Sequence, residues 1–283
     1  MNVKLYKICY KQEQIVHINP PFEVWDNLKN INPELCEFPI FNEIYNSIIN
    51  DDNVDYFGAV SPKFEIKTGI TGEKFLEWIN ETLKTQKPNV LFINPTPINE
   101  SLFPSTIIQG NNCHPYLMNF IQKILIRMNY NIQLEYVWMD TNSFSLCNYF
   151  VGDKKFWLNY LRFVNSFIGK VKNYPEDYKI MFETGASYGP NSLLPYYTFV
   201  IERLFSLFLL IYNNEIKSVH YEYTKEELMN KNKVLPEQII DEIMMLSKLK
   251  SSGIKYNDSS LLNNWSFFRN KFAQANPYIF NVE

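Results

Sequence analysis

The chain has 283 residues, a formal net charge of −3, and a composition that is 46% hydrophobic and 20% charged. That is enough apolar material for one large packed domain, or one domain with an extension, and it excludes a disordered chain. Lys and Arg total 27 against 30 Asp and Glu, so there is no overall electrostatic footprint for nucleic acid.

Residues Val3 to Tyr10 alternate and are rich in strand formers, which predicts a first strand and not a signal peptide. A long irregular stretch with Pro20, Pro21 and Pro33 reads as a binding loop. Ile40, Phe41, Ile44, Tyr45, Ile48 and Ile49 have helical spacing after Pro39. Asp55 to Val60 then predicts a short strand. A helix opening at Thr71 carries Phe75, Leu76, Ile79 and Leu83 on one face and stops at Pro88. Asn89 to Ile93 predicts a buried strand.

The proline-punctuated segment from Asn94 to Asn112 reads as a loop, and Pro115 to Asn129 as a helix. Strands are expected over Ile132 to Met139 and Ser143 to Val151. Asp153 is placed to cap a helix running to Lys172. Tyr174 to Pro195, with Gly185 and Gly189, reads as a second functional loop. The apolar run Tyr196 to Tyr212 is interrupted by Glu202 and Arg203, so it predicts a buried core helix and not a membrane span. A short strand at Ile216 to Tyr221 and helices at Lys225 to Lys250 and Leu261 to Gln274 complete the chain. Strand and helix alternate through the first half. That pattern predicts an α/β fold with a mostly parallel sheet flanked by helices, followed by a helical C-terminal extension.

Several chemistries are absent. There is no G-x-G-x-x-G, no G-x-x-x-x-G-K-[ST], no H-E-x-x-H and no G-x-S-x-G. The three histidines, His17, His114 and His220, have no partners at metal-ligand spacing. Cys9, Cys36, Cys113 and Cys147 are widely spaced, as expected of free thiols in a reducing, cytoplasmic compartment. Arginine is scarce (Arg127, Arg162, Arg203 and Arg269), so a bidentate anion clamp has few candidates. Aromatic residues, at 16%, suit either a packed core or rings lining a sugar or nucleotide site.

Five segments carry candidate chemistry. Tyr56 to Gly69 runs from a strand into a loop with Ser61, Lys63, Lys67 and Thr68, where a diphosphate could be held; a solvated loop is the alternative. Asn94 ends a buried strand, where its amide suits sugar hydroxyls or, followed by proline, a turn. His114 stands before a helix, which favours a neutral ring, for ligand contact or for capping and packing. Asp140 at a strand end is the candidate general base, or a loop cap. Asn148 inside an apolar strand is costly unless it is satisfied or used. Glu202 and Arg203 point about 100° apart on their helix, so each needs its own partner: either they lock helix to sheet, or Arg203 reaches an anionic ligand.

Taken together, Tyr56 to Gly69, Asn111 to Leu117, Cys147 to Phe163 and Phe199 to Ser206 resemble bacterial glycosyltransferases of capsule and lipopolysaccharide O-antigen synthesis. The resemblance covers roughly Met1 to Tyr212. It implies a GT-A-like fold over residues 1–222, with 223–283 as a helical extension packed on the same domain. It implies transfer of a hexose-type sugar from a nucleotide-diphosphate donor to a glycan or lipid-linked glycan acceptor, at the inner face of the inner membrane. Asp140, Asn148, Glu202 and Arg203 form the expected catalytic set. Tyr10, Ser61, Lys63, Lys67, Asn94 and His114 form the expected donor-binding set, with Tyr10 as a stacking ring. The family commonly holds a divalent metal, Mn or Mg, through Asp-x-Asp, a motif this chain lacks. Either the metal is lost and Lys63, Lys67 or Arg203 supplies its charge, or its carboxylates come from elsewhere in the chain. The alternative is a catalytically silent glycan-binding or scaffold subunit of a polysaccharide assembly complex. Either way, Lys63, Asn94, Asp140 and Asn148 are expected to converge on one cleft at the sheet edge.

Overall fold

A computed structural model describes residues 1–173, 179, 181–187 and 193–281. Its strands, among the described residues, are β1 (Val3–Cys9), β2 (Phe22–Asp26), β3 (Tyr56–Val60), β4 (Val90–Phe92), β5 (Phe150–Asp153), β6 (Gly185–Ser187), β7 (Leu193–Pro195) and β8 (Ser218–His220). Six of them form the central sheet in the order β2-β1-β3-β5-β4-β8, and β6 pairs with β7. β1 runs parallel to β2 and β3, and β4 runs parallel to β8. β5 is the exception: it lies antiparallel between β3 and β4. The sheet is therefore mixed but mostly parallel.

The helices are α1 (Gln12–Ile15), α2 (Phe38–Ile48), α3 (Phe64–Thr68), α4 (Gly72–Thr85), α5 (Pro97–Leu102), α6 (Thr106–Cys113), α7 (Leu117–Arg127), α8 (Lys154–Lys172), α9 (Tyr196–Ile211), α10 (Lys225–Lys231), α11 (Glu237–Lys255) and α12 (Ser259–Ala275). Because side chains alternate along a strand, the sheet has two apolar faces. Tyr6, Ile8, Phe57, Phe92 and Phe150 pack with α2, α7, α8 and α9. Leu5, Tyr56, Val60, Leu91 and Val151 pack on the other side with α3 and α4. α9 is apolar nearly all round, as befits a helix buried on every side. Its Phe205 stacks on Phe150 with ring centres 4.3 Å apart. Gly58 lets β3 close on β5, since a Cβ there would lie 2.1 Å from the Phe150 carbonyl oxygen. Asp153 caps α8 as its sequence predicts, accepting from the Phe156 amide at 2.6 Å.

The C-terminal helices join this same core. Ile243, Leu246, Trp265 and Phe272 are buried in it. The Trp265 indole donates to the Ser101 carbonyl at 2.8 Å, and Arg269 Nε donates to that of Leu102 at 2.9 Å. Among the described residues, no helix is long and apolar enough to cross a membrane.

Several expected elements differ. The segment 94–112 is not a loop but holds α5 and α6, because Pro97 opens a helix and Ser105 caps the next by accepting from Ile108 N at 3.2 Å. Residues 132–139 form no strand: the Gln122 side chain takes the Ile132 carbonyl and the Leu134 amide, leaving only a 3-10 turn. The strand expected at 143–151 is confined to β5, since Ser206 Oγ bonds both the amide and the carbonyl of Ser145. The irregular stretch after β1 contains the edge strand β2, and the loop after β3 contains α3. The long polar helix is split into α10 and α11 around Pro236. Of the second functional loop, β6 and β7 are seen, and residues 174–178, 180 and 188–192 lie outside the described residues.

Candidate functional site

The parallel strands β1, β3 and β4 finish at one edge of the sheet, and antiparallel β5 begins there. The Ile93 amide donates to the Tyr149 carbonyl at 3.0 Å, so continuing the register places Asn94 opposite Asn148. Ser61 follows β3, with its Oγ 2.7 Å from the Tyr149 hydroxyl. The fold thus gathers three of the expected residues at the carboxyl edge, where ligands of such sheets sit.

Charged groups close over this edge. Asn148 Nδ2 donates to Glu37 Oε2 at 3.2 Å, from the residue that precedes α2. Lys67, on α3, places Nζ 3.6 Å from the Cys147 sulfur. The Cys36 thiol donates to the Thr198 carbonyl of α9 at 3.6 Å. Glu202 stands one turn further along α9, on the same side as Thr198. Its carboxyl is pushed up to about 7, chiefly by burial; Lys67 pulls against the shift and Glu37 adds to it. Burial likewise raises the Cys147 thiol to about 12 despite Lys67, and holds Cys36 well above its usual range. Both thiols therefore stay protonated at neutral pH, which excludes them as thiolate nucleophiles.

Two polar atoms of this cluster, Asn148 Oδ1 and Thr198 Oγ1, are buried without a hydrogen-bond partner. Their residues are 4% and 3% exposed. Each such atom costs about 1–3 kcal/mol unless something donates to it, which makes the pair a place for a ligand.

The remaining expected residues divide. Lys63 is exposed at the start of α3, its amide donating to Ser61 Oγ at 3.3 Å, so it borders the cluster. Tyr10 follows β1, half-buried against the core, with its amide donating to Gln14 Oε1 at 2.7 Å. Asp140 does not join the cluster. Its Oδ1 is occupied within its own loop by Ser143 Oγ at 2.8 Å and the Asn142 amide at 3.1 Å, the loop-cap alternative. Arg203 is a lock and not an anion ligand: its guanidinium bonds the Thr106 and Phe199 carbonyls at 3.0 and 2.8 Å and Gln109 Oε1 at 2.6 Å. His114 is buried and stacked on Phe199, with ring centres 3.9 Å apart. Its pKa falls to about 4 through burial and the Arg203 charge, so the ring is neutral; it packs on Phe199, and its Nδ1 is buried without a hydrogen-bond partner. Arg203 and the Phe199 ring that His114 meets lie on one stripe of α9, about 100° around the helix from Thr198 and Glu202.

Sequence reading did not single out Glu37, Thr198 or Tyr149. Glu37 resembles any polar residue before a helix, and its partner lies far along the chain. Among the described residues, no three His, Cys, Asp or Glu side chains are placed to hold a metal ion. The edge carries two carboxylates, Glu37 and Glu202, with Lys67 near them; one or two carboxylates with substrate phosphates suffice for Mg, so these two would be the residues to hold it. No family model, curated protein or solved structure matches this chain.

Proposed function

We propose that the protein is a glycosyltransferase with a GT-A-like fold, moving a sugar from a nucleotide-diphosphate donor to a glycan or lipid-linked glycan of the bacterial surface. One observation carries the reading: Lys67, Asn148 and Glu37 gather at the carboxyl edge of a mostly parallel sheet, within electrostatic reach of the buried Glu202 carboxyl. In an inverting transfer the acceptor oxygen attacks the anomeric carbon, the bond from that carbon to the diphosphate oxygen breaks, and the acceptor proton passes to Glu202. A base with a pKa near 7 is about half ionised at neutral pH, which suits this task. Lys67, with Lys63 at the rim, supplies positive charge for the leaving diphosphate. The Asn148 Oδ1 and Thr198 Oγ1 atoms accept donor hydroxyls. The work would be done in the cytoplasm against the inner face of the inner membrane.

The test is titration of UDP- and GDP-sugars by calorimetry, against Lys67→Met and Glu202→Gln. Lys67→Met is expected to weaken donor binding, and Glu202→Gln to bind donor but not transfer. Failure of the unaltered protein to bind any nucleotide sugar defeats the reading. The missing Asp-x-Asp, with the richness in aromatic residues, motivates a second one, a catalytically silent glycan-binding or scaffold subunit. Glycan binding without turnover of any donor would mark it.

A further inference from the structure

A cavity of about 450 Å³ opens where the ends of β4 and β8 meet the flank of α11. Its volume falls within the roughly 300–1,000 Å³ of small-molecule sites. Asn94, Glu100, His220, Tyr223, Ser247 and Ser251 line it. Glu100 is 5% exposed, and its Oε2 accepts from Ser247 Oγ at 2.9 Å. Its Oε1 lies at ion-pair distance from Lys250 Nζ, 3.3 Å, yet has no hydrogen bond. Ser251 Oγ is likewise buried without a partner.

The chemistry of these walls selects a ligand class. Lys250 already balances the Glu100 charge, so the cavity does not call for a cation. The other charged residues of the lining, Glu222 and Lys248, are of opposite sign, so the walls favour neither an anion nor a cation. What the unpaired oxygens lack is hydroxyl groups. The Tyr223 ring, held in place because its hydroxyl donates to the Thr68 carbonyl of α3 at 3.1 Å, adds aromatic surface to the wall, which suits a ring with an apolar side. Hydroxyl-rich, uncharged and flat on one side describes a neutral sugar.

We propose that this cavity binds an uncharged saccharide unit. Asn94 belongs to its wall and also stands opposite Asn148, and Thr68 follows Lys67, so the bound sugar lies next to the charged cluster. Its role as the acceptor subsite rests on the transferase reading; the saccharide site itself does not.

The experiment is saturation-transfer NMR with the methyl glycosides of glucose, galactose and N-acetylglucosamine, and with methyl glucuronide, on the full chain. Met244→Trp and Ser251→Leu fill the cavity from α11, Met244 being 36% exposed and so free of packing demands. Transfer to at least one neutral glycoside is expected, with affinity about tenfold weaker in both variants and about tenfold weaker for the glucuronide. No transfer to any neutral glycoside, equal binding by both variants, or preference for the glucuronide overturns the proposal. UDP-glucose titrated into the same samples separates the two readings. Nucleotide-sugar binding without saccharide binding removes the cavity and leaves the transferase. Saccharide binding without nucleotide-sugar binding keeps the cavity and removes its acceptor role.

Discussion

Asn148 donates through Nδ2 to Glu37 Oε2 at 3.2 Å, across 111 residues of sequence. The contact ties the residues just before β5 to the entrance of α2 and fixes the amide, whose Oδ1 is buried and unpaired. A side chain that leaves half its hydrogen-bonding capacity unused contributes little to stability. Asn148→Leu is therefore expected to change stability by less than about 1 kcal/mol, or roughly 2–4 °C in Tm. The same variant should weaken nucleotide-sugar binding about tenfold. Thermal unfolding beside a donor titration checks both; a large Tm loss with donor affinity intact would make Asn148 a structural residue.

Glu202 predicts a pH signature in stability and in rate. Its carboxyl titrates near 7 in the folded protein and near the ordinary carboxylate value when unfolded. Between those limits the folded chain binds more protons, so stability is greatest below the unfolded pKa and falls as pH rises through about 7. Activity should run the other way, climbing about tenfold between about pH 6 and about pH 8 as the base form appears. Glu202→Gln should flatten the stability profile over this range. Denaturant unfolding as a function of pH measures it, and an unchanged slope in the variant would assign the pH effect elsewhere.

Much of this arrangement is legible in the sequence, and the parts that are not share a cause. α8, α9 and the strands β1, β3 and β4 follow from periodicity because their apolar faces meet the core directly. Segments 132–139 and 143–149 look like strands but have backbone groups taken by side chains, Gln122 of the preceding helix α7 and Ser206 of α9, 61 residues further along. Ser61, Asn94 and Asn148 are recognisable because they flank strand ends, and Lys67 because it lies in the short segment that follows β3. Glu37 is not, since nothing local marks it until α2 is docked. Asp140 misleads for the opposite reason: its carboxylate is satisfied within three residues of chain.

The Arg203 lock makes a sharp demand on Gly110. A Cβ there would lie 2.2 Å from Arg203 Nε and 2.7 Å from Cζ, so α6 can accept the guanidinium only against a glycine. Gly110→Ala should displace a buried charge from three acceptors, at about 3–5 kcal/mol. Arg203→Lys should lose nearly as much, because an ammonium cannot reproduce the fork. Chemical denaturation checks both. Donor affinity of the folded fraction should not change, and its loss would return Arg203 to the site.

Lys250 bears on whether the C-terminal helices are an ornament or part of the domain. It is fully buried, donates to the carbonyls of Glu100 and Phe103, sits over the Phe144 ring at 4.8 Å and pairs with the Glu100 carboxylate at 3.3 Å. Burial drives its pKa down and Glu100 opposes that, so each charge depends on the other. Lys250→Met alone should strand a carboxylate in the core and cost about 3–5 kcal/mol. Lys250→Met combined with Glu100→Gln should recover much of the loss, because the buried charge is gone and Ser247 keeps an oxygen to donate to. A double-mutant cycle by urea unfolding reads the coupling, expected at about 0.5–3 kcal/mol. Because Glu100 belongs to α5 and Lys250 to α11, a positive coupling within one unfolding transition means that residues 223–281 fold with the sheet; two separate transitions would make them an independent unit.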